Sequence, residues 1–139
     1  MKSLGRYLFL SPFIISLTLA VTSCSSERVI SDTTRPAAVT DLSIDSVQGS
    51  AIYFSWTATG DDGDQGQASF YDLRFAFDPA TLQSWGGARQ VQGEPVPGPK
   101  GTHEQMLLTI SDSDSTYYFG VKVSDESRNT SPLSNIVSH

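Results

Sequence analysis

Apolar and polar residues alternate in short segments along most of the chain, a period of two that predicts β-strands with every second side chain facing a core. In Ala51-Ile52-Tyr53-Phe54-Ser55-Trp56-Thr57 this places Ile52, Phe54 and Trp56 on the core face and Tyr53 and Ser55 on the other. A strand over 39–47, with Val39, Leu42 and Ile44 as its apolar residues, is expected before it, and Gln48-Gly49-Ser50 turns the chain between them. Within 69–76, Tyr71, Leu73 and Phe75 alternate with Asp72 and Arg74, which predicts a half-buried strand. Met106, Leu108 and Ile110 mark another, and Tyr117, Phe119, Val121 and Val123 give the most regular alternation in the chain. Leu133, Ile136 and Val137 supply a last edge strand. Residues 80–91 space Leu82, Trp85, Ala88 and Val91 as either an irregular edge strand or an isolated helical turn would. Residues 93–101 hold three prolines and three glycines and predict a surface loop, because few backbone groups there can join a ladder. Short strands at this spacing, parted by turn residues, predict an all-β antiparallel sandwich of about seven strands over residues 36–139.

The first residues follow another pattern. Lys2 and Arg6 precede an apolar stretch at 7–21 that ends in small residues, the form of a secretory signal peptide. The stretch contains a proline and is shorter than the ~20 residues a spanning helix needs. Val21-Thr22-Ser23-Cys24 then resembles the bacterial lipobox: aliphatic, small, small, cysteine. The resemblance implies a signal peptide at 1–23, cut before Cys24, and a diacylglyceryl group on the Cys24 thiol. Residues 24–35 would then be a lipidated, flexible tether, with a membrane as the partner held through Cys24. Each acyl CH₂ buried in a bilayer contributes about 0.8 kcal/mol, so several chains on one cysteine anchor durably. Ser25 and Ser26 follow where inner-membrane lipoproteins often carry Asp, which favours export to the outer membrane or cell surface.

Charge and composition narrow the partners. The chain has 139 residues, room for one folded domain, and a formal net charge of −6 with no cluster of Lys and Arg. Such a surface repels phosphate backbones, so nucleic acid is not an expected partner. Cys24 is the only cysteine and His103 and His139 the only histidines, which leaves neither an internal disulfide nor a zinc site.

Over 36–139 the segments resemble a fibronectin type III domain, by the order of their landmarks. Trp56 matches the core tryptophan of the second strand, and Tyr71 the tyrosine that opens the third. Leu108 and Ile110 stand before the corner, and Tyr117, in Ser-Thr-Tyr-Tyr-Phe-Gly-Val, matches the corner tyrosine. Residues 125–129 and 131–135 resemble the final turn and strand of bacterial members. The resemblance implies an immunoglobulin-like sandwich in which Trp56, Tyr71 and Tyr117 are structural, and a Tyr117 hydroxyl bonded to upstream backbone.

Little in the chain suggests catalysis or a cofactor, and none is expected. The histidines share no recognisable motif with a serine or carboxylate, and the paired acids lie in expected turns. Asp61, Asp62 and Asp64, in Gly-Asp-Asp-Gly-Asp-Gln-Gly, are the candidate calcium ligands, since calcium accepts irregular sets of oxygens. The match to an EF-hand fails: with Asp62 first, Leu73 stands where the bidentate Glu belongs. Turn chemistry accounts for the same composition. Trp85 beside Gly86-Gly87, with outward Tyr53 and Tyr118, is either a sugar-stacking platform or ordinary packing. The expected function is a non-catalytic, membrane-anchored, extracytoplasmic adhesion, recognition or spacer module with a protein or glycan ligand. The alternatives are a carbohydrate-binding module and a calcium-dependent binding element.

Overall fold

Residues 31–112 and 114–139 are described by the computed structural model. The expected signal peptide, lipidated Cys24 and tether residues up to 30 lie outside them. Among the described residues, seven strands and one helix follow in order: β1 (Ser43–Gln48), β2 (Ala51–Thr57), β3 (Phe70–Ala76), α1 (Pro79–Ser84), β4 (Arg89–Gln90), β5 (His103–Thr109), β6 (Tyr118–Ser124) and β7 (Val137–Ser138). They form an antiparallel three-stranded sheet, β1-β2-β5, and a four-stranded one, β4-β3-β6-β7, the all-β sandwich expected from the alternation.

Period two decided which side chains the sheets bury. Ile52, Phe54 and Trp56 of one sheet and Leu73, Phe119, Val121 and Val123 of the other are at most 1% exposed, whereas Tyr53, one residue out of phase, is 36% exposed. Burying each large apolar side chain contributes roughly 1.5–3 kcal/mol. Rings lock the two layers edge to face: Phe54 on Phe119 at 4.9 Å and Trp56 on Tyr71 at 5.1 Å between centroids.

Departures from regular alternation mark departures from regular strands. Val39 and Leu42 are buried, but β1 begins only at Ser43. The three-residue step from Val39 to Leu42 does not fit a pleat, and the backbone of Leu42 bonds instead to the Asn135 amide (3.0 and 2.9 Å). Residues 80–91 combine both readings. Asp78 caps α1 by accepting from the Thr81 N–H (2.8 Å) and hydroxyl (2.7 Å), and Pro79 supplies a preset φ at the first turn. Leu82, fully buried, packs against Ala76 and Ala88 before the chain enters β4. Gly120 leaves the outer face of β6 low beneath the helix: a Cβ there would stand 2.8 Å from Leu133 Cδ1 and 3.5 Å from Leu82 Cδ2.

The final segment pairs with β6 largely through hydroxyls. Ser131 and Ser134 donate backbone N–H groups to Val123 and Val121 carbonyls (2.8 and 3.0 Å), while their Oγ atoms accept from the same two residues' N–H groups (2.9 and 3.0 Å). Only Val137–Ser138 is regular strand. At the other terminus the compact unit begins at Ser31. Asp32 and Arg35, in the expected tether, are bonded to Asn129 Nδ2 (3.1 Å) and the Gly63 N–H (2.9 Å) through their carbonyls.

Candidate functional site

The acidic loop closes on itself. Gln65 returns to accept from the Asp61 N–H (2.6 Å) and donates to the Asp62 carbonyl (3.2 Å), passing over Gly60, where a Cβ would lie 2.1 Å from the Gln65 oxygen. This separates the three candidate ligands. Asp64 is ion-paired with Lys100, and Asp62 is exposed. Asp61 has an Oδ1 atom shut off from solvent and without a hydrogen-bond donor among the described residues. Burial, then the charges of Glu126, Asp125, Asp62 and Asp32, hold its carboxyl above the usual range. Asp125 itself is fully buried and saturated by Asn129, accepting from its N–H and its side-chain amide at 2.7 Å each. Among the described residues no three His, Cys, Asp or Glu side chains are grouped to hold a metal ion.

Trp56 and Tyr71 meet a third residue that the sequence reading passed over. Glu104 on β5 is 7% exposed, and its Oε1 accepts from the Gly98 N–H (2.7 Å) and, at longer range, the Tyr71 hydroxyl (3.4 Å). Burial pushes the Tyr71 phenol up to about 12. The Trp56 N–H lies near enough to favour the phenolate, against that trend, yet it forms no hydrogen bond of acceptable geometry with any described group. Glu104 ties the proline-rich loop to the core, and parity could have found it, since it shares a face with Met106, Leu108 and Ile110.

The three aromatic residues proposed for stacking do not share a surface. Tyr53 lies on the outer face of β1-β2-β5, paired across the ladder with Leu107. Trp85 and Tyr118 pack with Leu82 and Ile136 on the outer face of the other sheet. Trp85 is also engaged by cations, with Arg74 at 4.8 Å and Lys122 at 4.7 Å from its ring centroid.

One end of the sandwich carries an aromatic-lined concave site. Phe75 at the end of β3, Phe77 beyond it, Leu108 at the end of β5, Ile110 just past it, and Tyr117 before β6 line a cleft of about 280 Å³. Tyr117 is clamped by reciprocal backbone bonds with His139 (2.7 and 3.0 Å). Its ring lies 5.3 Å from Phe75, 5.2 Å from Phe77 and 6.0 Å from Phe119, and among the described residues its hydroxyl makes no hydrogen bond. Arg89 stands over the Phe77 ring at 5.4 Å, with no ion-pair partner among the described residues. Asp112 is on the rim, its carboxylate taken by the Ser115 hydroxyl and the Asp114 N–H, which hold it below the usual range. Phe77 remains 50% exposed. It continues the core parity of Tyr71, Leu73 and Phe75 past the strand end, the one sequence signal for this site. Such a cleft takes an apolar or aromatic side chain and presents a guanidinium to an acidic neighbour. No family model matches the chain, and no curated protein matches it.

Proposed function

We propose that the chain is a fibronectin type III-like recognition module without catalytic activity, exported and held in the cell envelope by lipid on Cys24, at the outer membrane or cell surface. Support for the family reading lies in strand order: β4 joins β3, whereas in constant-type immunoglobulin domains the fourth strand joins the sheet of the first, second and fifth. The observation that carries recognition is the cleft, where Phe77 is half exposed between Tyr117 and an Arg89 with no acidic partner among the described residues. Aromatic residues, phenylalanine included, and arginine are enriched at protein-binding interfaces. The ligand class is therefore a protein segment bearing an apolar side chain next to a carboxylate.

Affinity capture from intact cells, with wild type and the variants Phe77→Ser and Arg89→Ala compared side by side, tests the recognition reading. Capture of a partner by wild type that both variants lose supports it; equal capture by all three refutes it. Fractionation tests the anchor separately: Cys24→Ala should leave the membrane fraction, and mass spectrometry of the wild type should find acylated Cys24 at the mature N-terminus.

A further inference from the structure

Four strands stand at sheet edges, β1 and β5 in one sheet and β4 and β7 in the other. Three are protected in ways that discourage pairing with another chain. β4 and β7 have two residues each, and the stretch of β3 beyond β4 has its Leu73 N–H covered by the Glu94 carboxylate (3.0 Å). β1 is broken by a register shift between Ile44 and Ser46. β5 has none of these features. It runs seven residues, His103–Thr109, in unbroken register with β2, and contains no proline, glycine, lysine or arginine.

The ladder fixes which groups that edge presents. Ala58 donates to the Thr102 carbonyl (2.8 Å) and Ile110 to the Ser50 carbonyl (2.9 Å) at the two ends of the β2–β5 pair. Antiparallel strands bond at every second residue, so Glu104, Met106 and Leu108 turn N–H and C=O toward β2. His103, Gln105, Leu107 and Thr109 turn theirs outward, and all four side chains are exposed on the sheet's outer face. Leu107 is 55% exposed there, beside Tyr53.

We propose that β5 pairs antiparallel with β5 of a second copy of this chain, about a two-fold axis at Leu107. Leu107 then packs on its own counterpart, Gln105 faces Thr109 and the reverse, and the two three-stranded sheets become one continuous sheet. Self-pairing is favoured over a foreign strand because the outward residues suit their own copies. An apolar side chain lies on the axis, flanked by Tyr53 from each chain, and the outward neighbours Gln105 and Thr109 are neutral, so an acidic chain meets itself along a strand whose outward positions carry no carboxylate; Asp45 of β1, which lines a hollow with Gln105 and Leu107, accepts from the Ser55 hydroxyl (2.7 Å). The carboxylate on β5, Glu104, faces inward and is already buried and bonded to Gly98, so pairing desolvates it little further. This inference does not depend on the recognition reading: the cleft shares the Thr109 end of β5, but Leu107 and Gln105 do not line it, and the recognition test scores a different partner.

Sedimentation equilibrium and hydrogen exchange of the purified full chain across a concentration series test it. The expected result is a concentration-dependent dimer in which the amides of Gln105, Leu107 and Thr109 become protected, while those of Glu104, Met106 and Leu108 are protected throughout. Leu107→Lys sets two like charges on the axis and should raise the dimer dissociation constant at least about tenfold. Gln105→Pro removes an N–H that faces away from β2 and should act in the same direction, which keeps the test decisive if either variant alone fails to fold. A monomer up to about 1 mM, a dimer unaffected by both folded variants, or a dimer whose Gln105, Leu107 and Thr109 amides stay unprotected would overturn the proposal. Protection of those amides that requires an added protein of another kind would overturn it equally.

Discussion

Trp56→Ala is the most direct probe of how the two layers are held. The side chain is 1% exposed, lies on the core face of the central strand β2, and meets the Tyr71 ring of the opposite sheet edge to face at 5.1 Å with planes at 87°. Deleting a buried large aromatic side chain costs about 3–5 kcal/mol, since the surrounding structure only partly collapses into the cavity. The Tyr71 contact should account for about 0.5–1.5 kcal/mol of this, measurable as the coupling in a double-mutant cycle with Tyr71→Ala. Because the Trp56 N–H makes no hydrogen bond among the described residues, the loss is one of packing. Trp56→Phe, which keeps a ring against Tyr71 and removes the unpartnered donor, should therefore lose much less. Against a total stability of about 5–15 kcal/mol, Trp56→Ala removes a large share, and at about 4–8 °C per kcal/mol its melting temperature should fall by more than ~12 °C. Denaturant unfolding followed by far-UV circular dichroism gives the number, with Val96→Ala, 84% exposed, as a control expected within about 0.5 kcal/mol of wild type. A Trp56→Ala loss below about 1 kcal/mol would refute the register and the packing argument together.

Asp61→Asn should stabilise the domain at neutral pH. Folding raises the Asp61 pKa, through burial and then the charges of Glu126, Asp125, Asp62 and Asp32, so its ionised form costs stability above the folded value; that cost shrinks as pH falls through it and is gone below about 3.9. Melting curves should show the variant's advantage closing on acidification, and an advantage that widens would reverse the sign. Millimolar calcium should not move the melting temperature of wild type or of the Asp61, Asp62, Asp64→Asn triple variant, since Asp64 is held by Lys100 away from an Asp61 site; a calcium-dependent gain of about 2.7 kcal/mol, as at a hundredfold excess over Kd, would defeat this. Gly60→Ala should destabilise the 60–66 loop and speed amide exchange at Asp61 and Gln65, because its Cβ would meet the Gln65 backbone at 2.1 Å.

Parity along a strand is a local property, and it was legible without any structure. Once β2 and β6 alternate, Ile52, Phe54, Trp56, Phe119, Val121 and Val123 must share faces, and those faces must be covered by something apolar. The same logic sorted Tyr53 outward and, applied to β5, would have placed Glu104 inward. Segment 80–91 shows where local information runs out. Asp78 and Pro79 are a readable helix start, but Leu82 is held only because Ala76 and Gly120, on two different strands, leave room for it. The cleft drew Phe75, Phe77, Arg89, Leu108, Ile110 and Tyr117 from segments far apart in the chain, so beyond the parity that carries Phe77 past the end of β3 no spacing in the sequence could announce it. The openness of β5 is of the same kind. Its composition says that it is a strand, yet whether its outer amides meet a neighbour depends on strand order, which is set by how both sheets bury their apolar faces at once. Alternation therefore determined the elements and their inward faces, because a pleat has only two sides; the packing of one sheet on the other decided which edges and ends were left for a partner.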